Sequence, residues 1–391
     1  MSVGELALRQ AQDERGWNAE LMQTLQPTLR LGRDVWDSSA MPLDEFRGRA
    51  DRLRAAMAER DLDALLLYGS NPNGCGHPTW LANYIVKLPF AAMVVLPREG
   101  DAALIFQGAM RGRDAAKATT WIEDVRPCWN VAAECLAALT ERGLTHVRIG
   151  LAGMPRLVPH SDWETLTARL AGAALIDAED LVNCQRAIKS EREIGQLRRS
   201  SAIVEQVMES FAHIAPSTGE WHLVANLMRE ARMQGTEDIR VLIARPREAE
   251  WAFRPVENVA CRDGDVISVL LAASWERYWS ESIRTFRVAG DRFEPLWPSE
   301  CTARFRALAA QLKPGRTTGD WARTAVAAMT AAEAAAIAPY GLGGGIGITP
   351  EEWPPLSVRD ETTIERGMCF AVRVAFESPA GLVLHGETVF T

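Results

Sequence analysis

Histidine is the side chain whose ordinary pKa suits proton transfer near neutral pH, and this chain of 391 residues has only six. The one histidine of the last third is His385, in the run Leu384-His385-Gly386-Glu387-Thr388-Val389. On a strand, Glu387 would share a face with His385 and could orient the imidazole as a general acid/base. A hydrogen-bonded core or surface histidine would read the same way, and the residues leave both open. The glycine run Gly341–Gly347 lacks the strand, lysine and helix context of a phosphate loop, so its expected role is close backbone approach. Seven cysteines are scattered without a CxxC spacing, which reads as reduced thiols. Cys261 and Cys369 have no adjacent histidine or cationic cluster and read as inert core thiols.

The elements that must hold such groups follow from periodicity. Phe46, Ala50, Leu53 and Met57 recur at helical spacing after Pro42. Buried strands are expected at 64–68, 91–96, 102–106, 146–151 and 174–176, with helices at 132–141 and 162–170. That alternation indicates an α/β domain over 42–185. Asn71 to Trp80 is Gly/Pro-rich and reads as a loop of irregular structure. A new pattern starts near Arg186. Ser190-Glu191-Arg192-Glu193 is a capping box opening a helix whose apolar face is Ile194, Leu197, Ile203, Val207 and Phe211. Further helices are expected at 221–234, 301–312 and 320–336. Gly264 to Phe286 reads as a hairpin: an apolar run Val266–Leu271, a turn over Ser274–Arg277, and a return from Tyr278. Residues 1–41 read as an N-terminal arm with a helical piece near 6–25.

Composition narrows the class. A hydrophobic content of 47% and a charged content of 24% are ordinary for a soluble globular chain. The net charge of −8, without a Lys/Arg cluster, argues against nucleic acid as a partner. The sequence shows no apolar run of membrane-spanning length, no pattern of a signal peptide, and hence an expected cytoplasmic location.

The return strand Tyr278-Trp279-Ser280-Glu281-Ser282-Ile283-Arg284-Thr285-Phe286 resembles the Tyr-x-Ser-Asp-x-x-Arg-Thr-Phe segment of the pita-bread superfamily, which holds aminopeptidase P, prolidase and creatinase. Ile188-Lys189-Ser190 and the turn Lys313-Pro314-Gly315 are similar to further family motifs. The resemblance implies a creatinase-like N-terminal α/β domain, then a C-terminal pita-bread α+β domain over 186–391 with a curved antiparallel sheet. It also implies a homodimer, in which the loop near Asn71 approaches the neighbouring subunit's site.

In the metallopeptidases of that family two aspartates, a histidine and two glutamates hold a pair of metal ions. Carried over by motif, those positions fall here on Leu270, Glu281, Gly344, Arg373 and, least securely, Gly386, with a one-residue slip placing His385 or Glu387 there instead. An arginine among the remaining donors would repel cations, so the expectation is no metal and no other cofactor. The acid/base histidine of creatinase is absent as well: its turn appears as Phe253-Arg254-Pro255. The candidates left for catalysis are Glu281 as base or amine anchor, His385 as acid/base and Arg373 as an anion clamp. A plain salt bridge between Glu281 and Arg373 in the vacated site is the alternative. Arg254, Glu351, Glu387, Trp251, Trp279 and Trp353 are candidates for substrate contact. Glu352 and Trp275 lie in segments the resemblance also brings to the cleft, though tryptophans are as readily core.

The reading that results is a metal-independent, creatinase-like enzyme acting on a small nitrogen-containing metabolite, with hydrolysis of a C–N bond as the family expectation. Elimination, isomerisation or cyclisation on the same scaffold is the catalytic alternative. A non-catalytic interaction module is the alternative of a different class.

Overall fold

The computed structural model describes residues 36–391 apart from 72–73, 217–218, 246–252, 255, 258 and 380. The expected helix near 6–25 and the candidate Trp251 lie outside the described residues.

The first half carries α1 (Leu43–Glu59), β1 (Ala64–Ser70), α2 (Gly76–Ala82), β2 (Ala91–Pro97), β3 (Ala103–Gln107), β4 (Asp124–Cys128), α3 (Val131–Glu141), β5 (Arg148–Ala152), α4 (His160–Arg169), β6 (Ala174–Asp177) and α5 (Glu179–Ala187). Its six-stranded sheet has the order β4-β3-β2-β1-β5-β6. The β1–β2 and β2–β3 pairs are antiparallel and the rest parallel. Strands β1 and β2 are buried on both faces because helices lie on either side, which is why they read as continuous apolar runs rather than alternating ones.

The second half carries α6 (Glu191–Ser210), α7 (Glu220–Met233), β7 (Ile239–Ala244), β8 (Val266–Trp275), β9 (Tyr278–Ala289), β10 (Arg292–Pro295), α8 (Ser299–Ala309), α9 (Thr318–Ala327), α10 (Ala331–Ile337), β11 (Gly343–Gly345), β12 (Glu352–Pro355), β13 (Cys369–Ser378) and β14 (Gly381–Phe390). The sheet path is β12-β11-β13-β14-β9-β8-β7, with β10 on β9. The capping box at Ser190 and Glu193 is formed at the start of α6. One face of the sheet is covered: Ile203, Val204 and Val207 of α6 pack with Val269, Leu271 and Ala273 of β8.

Three local expectations change. The segment after Asn71 is not irregular throughout, because Gly76–Ala82 is a helix; Pro78 falls in its first turn, where no intrahelical N–H bond is lost. The helix expected over 320–336 is two, because Thr330 opens its own capping box with Glu333 and restarts the chain as α10. The β8–β9 turn tightens to Glu276 and Arg277, with φ of 46° and 72°. A two-residue turn with both residues left-handed matches strand twist but favours Asn or Gly. Here the Arg277 backbone N–H donates to Glu237 Oε2 at 2.6 Å and its guanidinium to Glu276 at 2.8 Å, which fixes the conformation.

Candidate active site

Register decides which side chains meet. Antiparallel partners project to the same side of a sheet and alternate residues to opposite sides. Arg373 of β13 faces Gly386 of β14, Gly386 faces Ile283 of β9, and Ile283 faces Leu270 of β8. Glu281, two residues from Ile283, joins that side. So does Gly344, whose partner Ala371 lies two residues from Arg373. With Gly386 as the last, the five positions carried over from the family motifs therefore share one face.

On that face Arg373 grips Glu281 with two bonds, Nε to Oε1 at 2.7 Å and Nη2 to Oε2 at 2.9 Å. Its Nη1 donates to Tyr340 O at 3.2 Å. Both residues are buried. Burial pulls the Arg373 pKa down, but the hydrogen bonds and charge of Glu281 outweigh it, and the net shift is upward. The Glu281 backbone N–H donates to Thr388 Oγ1 at 3.0 Å, which ties β9 to β14 beside the pair. Trp279, also on this side, is partly buried, and its backbone N–H donates to Gly347 O at 2.6 Å. Trp353 of β12 is partly buried against the same half of the core.

A pair of metal ions does not fit these residues. Leu270 and Gly386 offer no donor, and Arg373 offers only hydrogen-bond donors. Gly344 offers no side chain at all, and a Cβ there would stand 3.3 Å from Pro354 O and Pro355 Cα, a tight contact. Among the described residues there is no group of three or more His, Cys, Asp or Glu able to hold a metal ion.

His385 and Glu387 lie on the other side of the sheet, a correction to their expected place beside Glu281. As neighbours of Gly386 they must project oppositely to it, toward the helices. There the His385 ring stacks on Trp297 at 4.0 Å between centroids and meets Phe305 of α8 edge-on. The two residues do pair: His385 Nε2 lies 2.8 Å from Glu387 Oε1. Arg284 completes the group, 3.3 Å from His385 Nδ1 and 3.3 Å from Glu387 Oε1, with Glu205 of α6 at 2.7 Å. Nδ1 thus accepts from Arg284, and Nε2–H donates to Glu387. Burial pushes the His385 pKa down to about 4. Since the unfolded-state value is near 6.5, the folded chain loses stability as pH falls from 6.5 through about 4. We expect the imidazole resonances to stay in their neutral positions at pH 5.5, and a His385→Gln variant to show a smaller drop in melting temperature between pH 7 and pH 5.

Arg254 is likewise turned away from the pair. Its backbone bridges Ile243, and its guanidinium makes two bonds to Glu220 of α7, at 2.9 and 3.0 Å. Glu220 is fully buried and is held also by Arg245 at 2.7 Å and the Glu257 N–H at 2.9 Å. Trp275 packs on the helix-covered side, with Arg199 of α6 over its ring. Glu351, by contrast, does reach the pair: its Oε1 is 3.7 Å from Arg373 Nη2.

One residue escaped the sequence reading, and another was named there without its partners. Arg240 of β7 faces Ala272, which faces Glu281, so it projects to the Glu281 side. The signal was a single arginine in the otherwise apolar run Ile239–Ala244. The side chain of Glu352, next to exposed Glu351, is only 4% exposed. It accepts from Arg186 of α5, from Lys189 at 3.2 Å and from the Thr349 N–H at 3.1 Å. Arg186 Nη1 lies 3.0 Å from His77 Nδ1, and His77 Nε2 lies 2.9 Å from Glu179.

With that geometry in hand, the comparisons are consistent. Residues 195–389 match Metallopeptidase family M24, and residues 49–188 match the Creatinase/Prolidase N-terminal domain. The chain belongs to the pita-bread (creatinase/prolidase) superfamily. It is 24% identical over 221 residues to the putative dipeptidase YkvY of Bacillus subtilis, 55% of this chain and 61% of that protein. It is 26% identical over 374 residues to the ectoine hydrolase of Halomonas elongata, 84% of this chain and 88% of that protein. The X-Pro aminopeptidase of Thermotoga maritima superposes with a TM-score of 0.68 at 18% identity, over 86% of this chain and 93% of that one. The chain thus spans about three fifths of the dipeptidase's length and most of the ectoine hydrolase's. Among the described residues no helix is long and apolar enough to cross a membrane.

Proposed function

We propose that this chain is a metal-independent hydrolase of the M24/creatinase scaffold that cleaves a C–N bond in a small nitrogen-containing metabolite. The observation that carries the reading is the buried Glu281–Arg373 pair, set where the scaffold's metal ligands converge. A carboxylate has about four lone-pair sites, so Glu281 keeps acceptor capacity for a water or an amine after Arg373 has taken one site on each oxygen. In hydrolysis Glu281 takes a proton from the attacking water and returns it to the departing nitrogen as the C–N bond breaks. Arg373 holds Glu281 in place through its two bonds, and offers its remaining N–H groups to a negatively charged part of the substrate. Trp279 and Leu270 supply the apolar wall. The similarity to an ectoine hydrolase over most of both chains supports a small-molecule substrate, while the dipeptidases support the hydrolytic class.

A second reading, a non-catalytic binding module, is favoured by the same pair taken alone: two buried charges that satisfy each other fill a vacated site. The test is release of amine or ammonia from a panel of small guanidines, amides and N-acyl amino acids, run with a chelator and with added divalent metals, beside melting curves. C–N cleavage that survives chelation is expected. Cleavage only with added metal would sink metal independence. Neither cleavage nor a melting shift with any compound would favour the binding module, since a ligand specific for the folded state must raise the melting point.

A further inference from the structure

Arg240 and Arg373 both project toward the Glu281 side of the sheet, and one atom stands between them. Oε1 of Glu351 is 3.7 Å from Arg373 Nη2 and 4.0 Å from Arg240 Nη1. Both separations exceed hydrogen-bond length. The Glu351 side chain is 71% exposed, whereas its neighbour Glu352 is anchored by Arg186 and Lys189. The backbone at Glu351 is thereby held while its carboxylate reaches loosely into a cationic slot. Arg373 commits three of its five N–H donors, two to Glu281 and one to Tyr340 O, and keeps two. Arg240 has Glu351 as its ion-pair partner among the described residues.

We infer that this slot is the anion subsite of the cleft: Glu351 holds it in the free protein, a substrate carboxylate displaces Glu351, and Arg240 determines the specificity. The inference rests on the hydrolase reading of the Glu281–Arg373 pair and deepens it. A carboxylate in the slot takes N–H bonds from both guanidinium groups, from which Glu351 stands at 3.7 and 4.0 Å. Because Arg373 touches Glu281 on one side and borders the slot on the other, the substrate's carboxylate and its scissile bond are separated by about the width of one guanidinium group. An N-acyl derivative of a small amino acid meets that spacing, and a neutral amide of the same size lacks the anion.

The experiment is an NMR titration of the full chain with N-acetylglycine and, in parallel, its uncharged isostere N-acetylglycinamide. Wild-type protein, Arg240→Gln and Glu351→Gln are compared. Both side chains are substantially exposed, so melting temperatures should stay within a degree or two of wild type. The expected result is preference for the acid over the amide, with acid binding about tenfold weaker in R240Q, where a charge-assisted contact is lost, and about tenfold tighter in E351Q, where the resident anion is removed. Amide binding is expected to be the same in all three. Equal binding of acid and amide, an unchanged or weakened E351Q, an unchanged R240Q, or no binding of the acid to any of the three proteins would each overturn the inference. Failure of the parent reading looks different. Acid preference without C–N cleavage of any carboxylate removes the hydrolase and leaves the subsite. Cleavage with kcat/KM unaffected in R240Q removes the subsite and leaves the hydrolase.

Discussion

Glu281→Ala should destabilise the folded chain by about 3–5 kcal/mol, because it leaves the Arg373 guanidinium charged and unpaired inside the sheet. Arg373→Ala should cost a similar amount by stranding Glu281. Replacing both with leucine should restore most of the loss, since Leu270 and Ile283 already make the adjoining positions apolar and buried. Urea denaturation of the two single variants and the double variant closes a mutant cycle and gives the coupling between the pair directly. Turnover should follow the opposite pattern. Neither single variant nor the double leucine variant should cleave substrate, and Glu281→Gln should abolish cleavage with the melting transition still cooperative. That contrast separates the two readings of the site. If the double variant recovers stability and retains the wild-type rate, the pair is a filler and the chemistry lies elsewhere.

The fold and the face of this pair were both legible because they rest on spacing. Tyr278 to Phe286 alternates between the two faces, so Glu281 and the family-matched positions on neighbouring strands come into line once the strands pair. The side taken by His385 was not legible. Alternation correctly tied His385 to Glu387, but a period of two cannot say which side of the sheet is helix-covered; that depends on the register of β14 against β13 and β9. A one-residue ambiguity at the end of the chain was enough to move a histidine from the cleft to the packing beneath Trp297. Arg254 misled for another reason. Expected on a turn, it instead bridges Ile243, and Glu220, some 34 residues earlier in the chain, captures its guanidinium; no local pattern announces so distant a partner. Arg186, His77 and Glu352 were hidden likewise, since their contacts join segments more than a hundred residues apart.

That last group yields the other large expected effect. Burial alone would raise the Glu352 carboxyl, yet the charges of Arg186 and Lys189 and the bond from the Thr349 N–H hold its pKa down at about 2. A folded-state value below the ordinary 4.5 means that the stabilisation is fully present above pH 4.5 and is lost as pH falls from there through about 2. The depression corresponds to roughly 3 kcal/mol at neutral pH. Glu179, also near 2, is partly exposed and contributes less because solvent screens it. Glu352→Gln should therefore lower stability at pH 7 by about 3–5 kcal/mol, leaving Arg186 and Lys189 facing a neutral amide. It should also flatten the dependence of stability on pH between 4.5 and 2. Since Arg186 and His77 belong to the N-terminal half and Glu352 to the C-terminal sheet, calorimetry of the variant should resolve two transitions where wild type gives one. A variant with wild-type acid stability would show that Arg186 and Lys189 do not carry the depression. In that case the contact between the halves would be held by the second buried group, Arg49, Glu193 and Tyr278, where the Tyr278 hydroxyl donates to Glu193 at 2.9 Å and accepts from Arg49 at 2.9 Å.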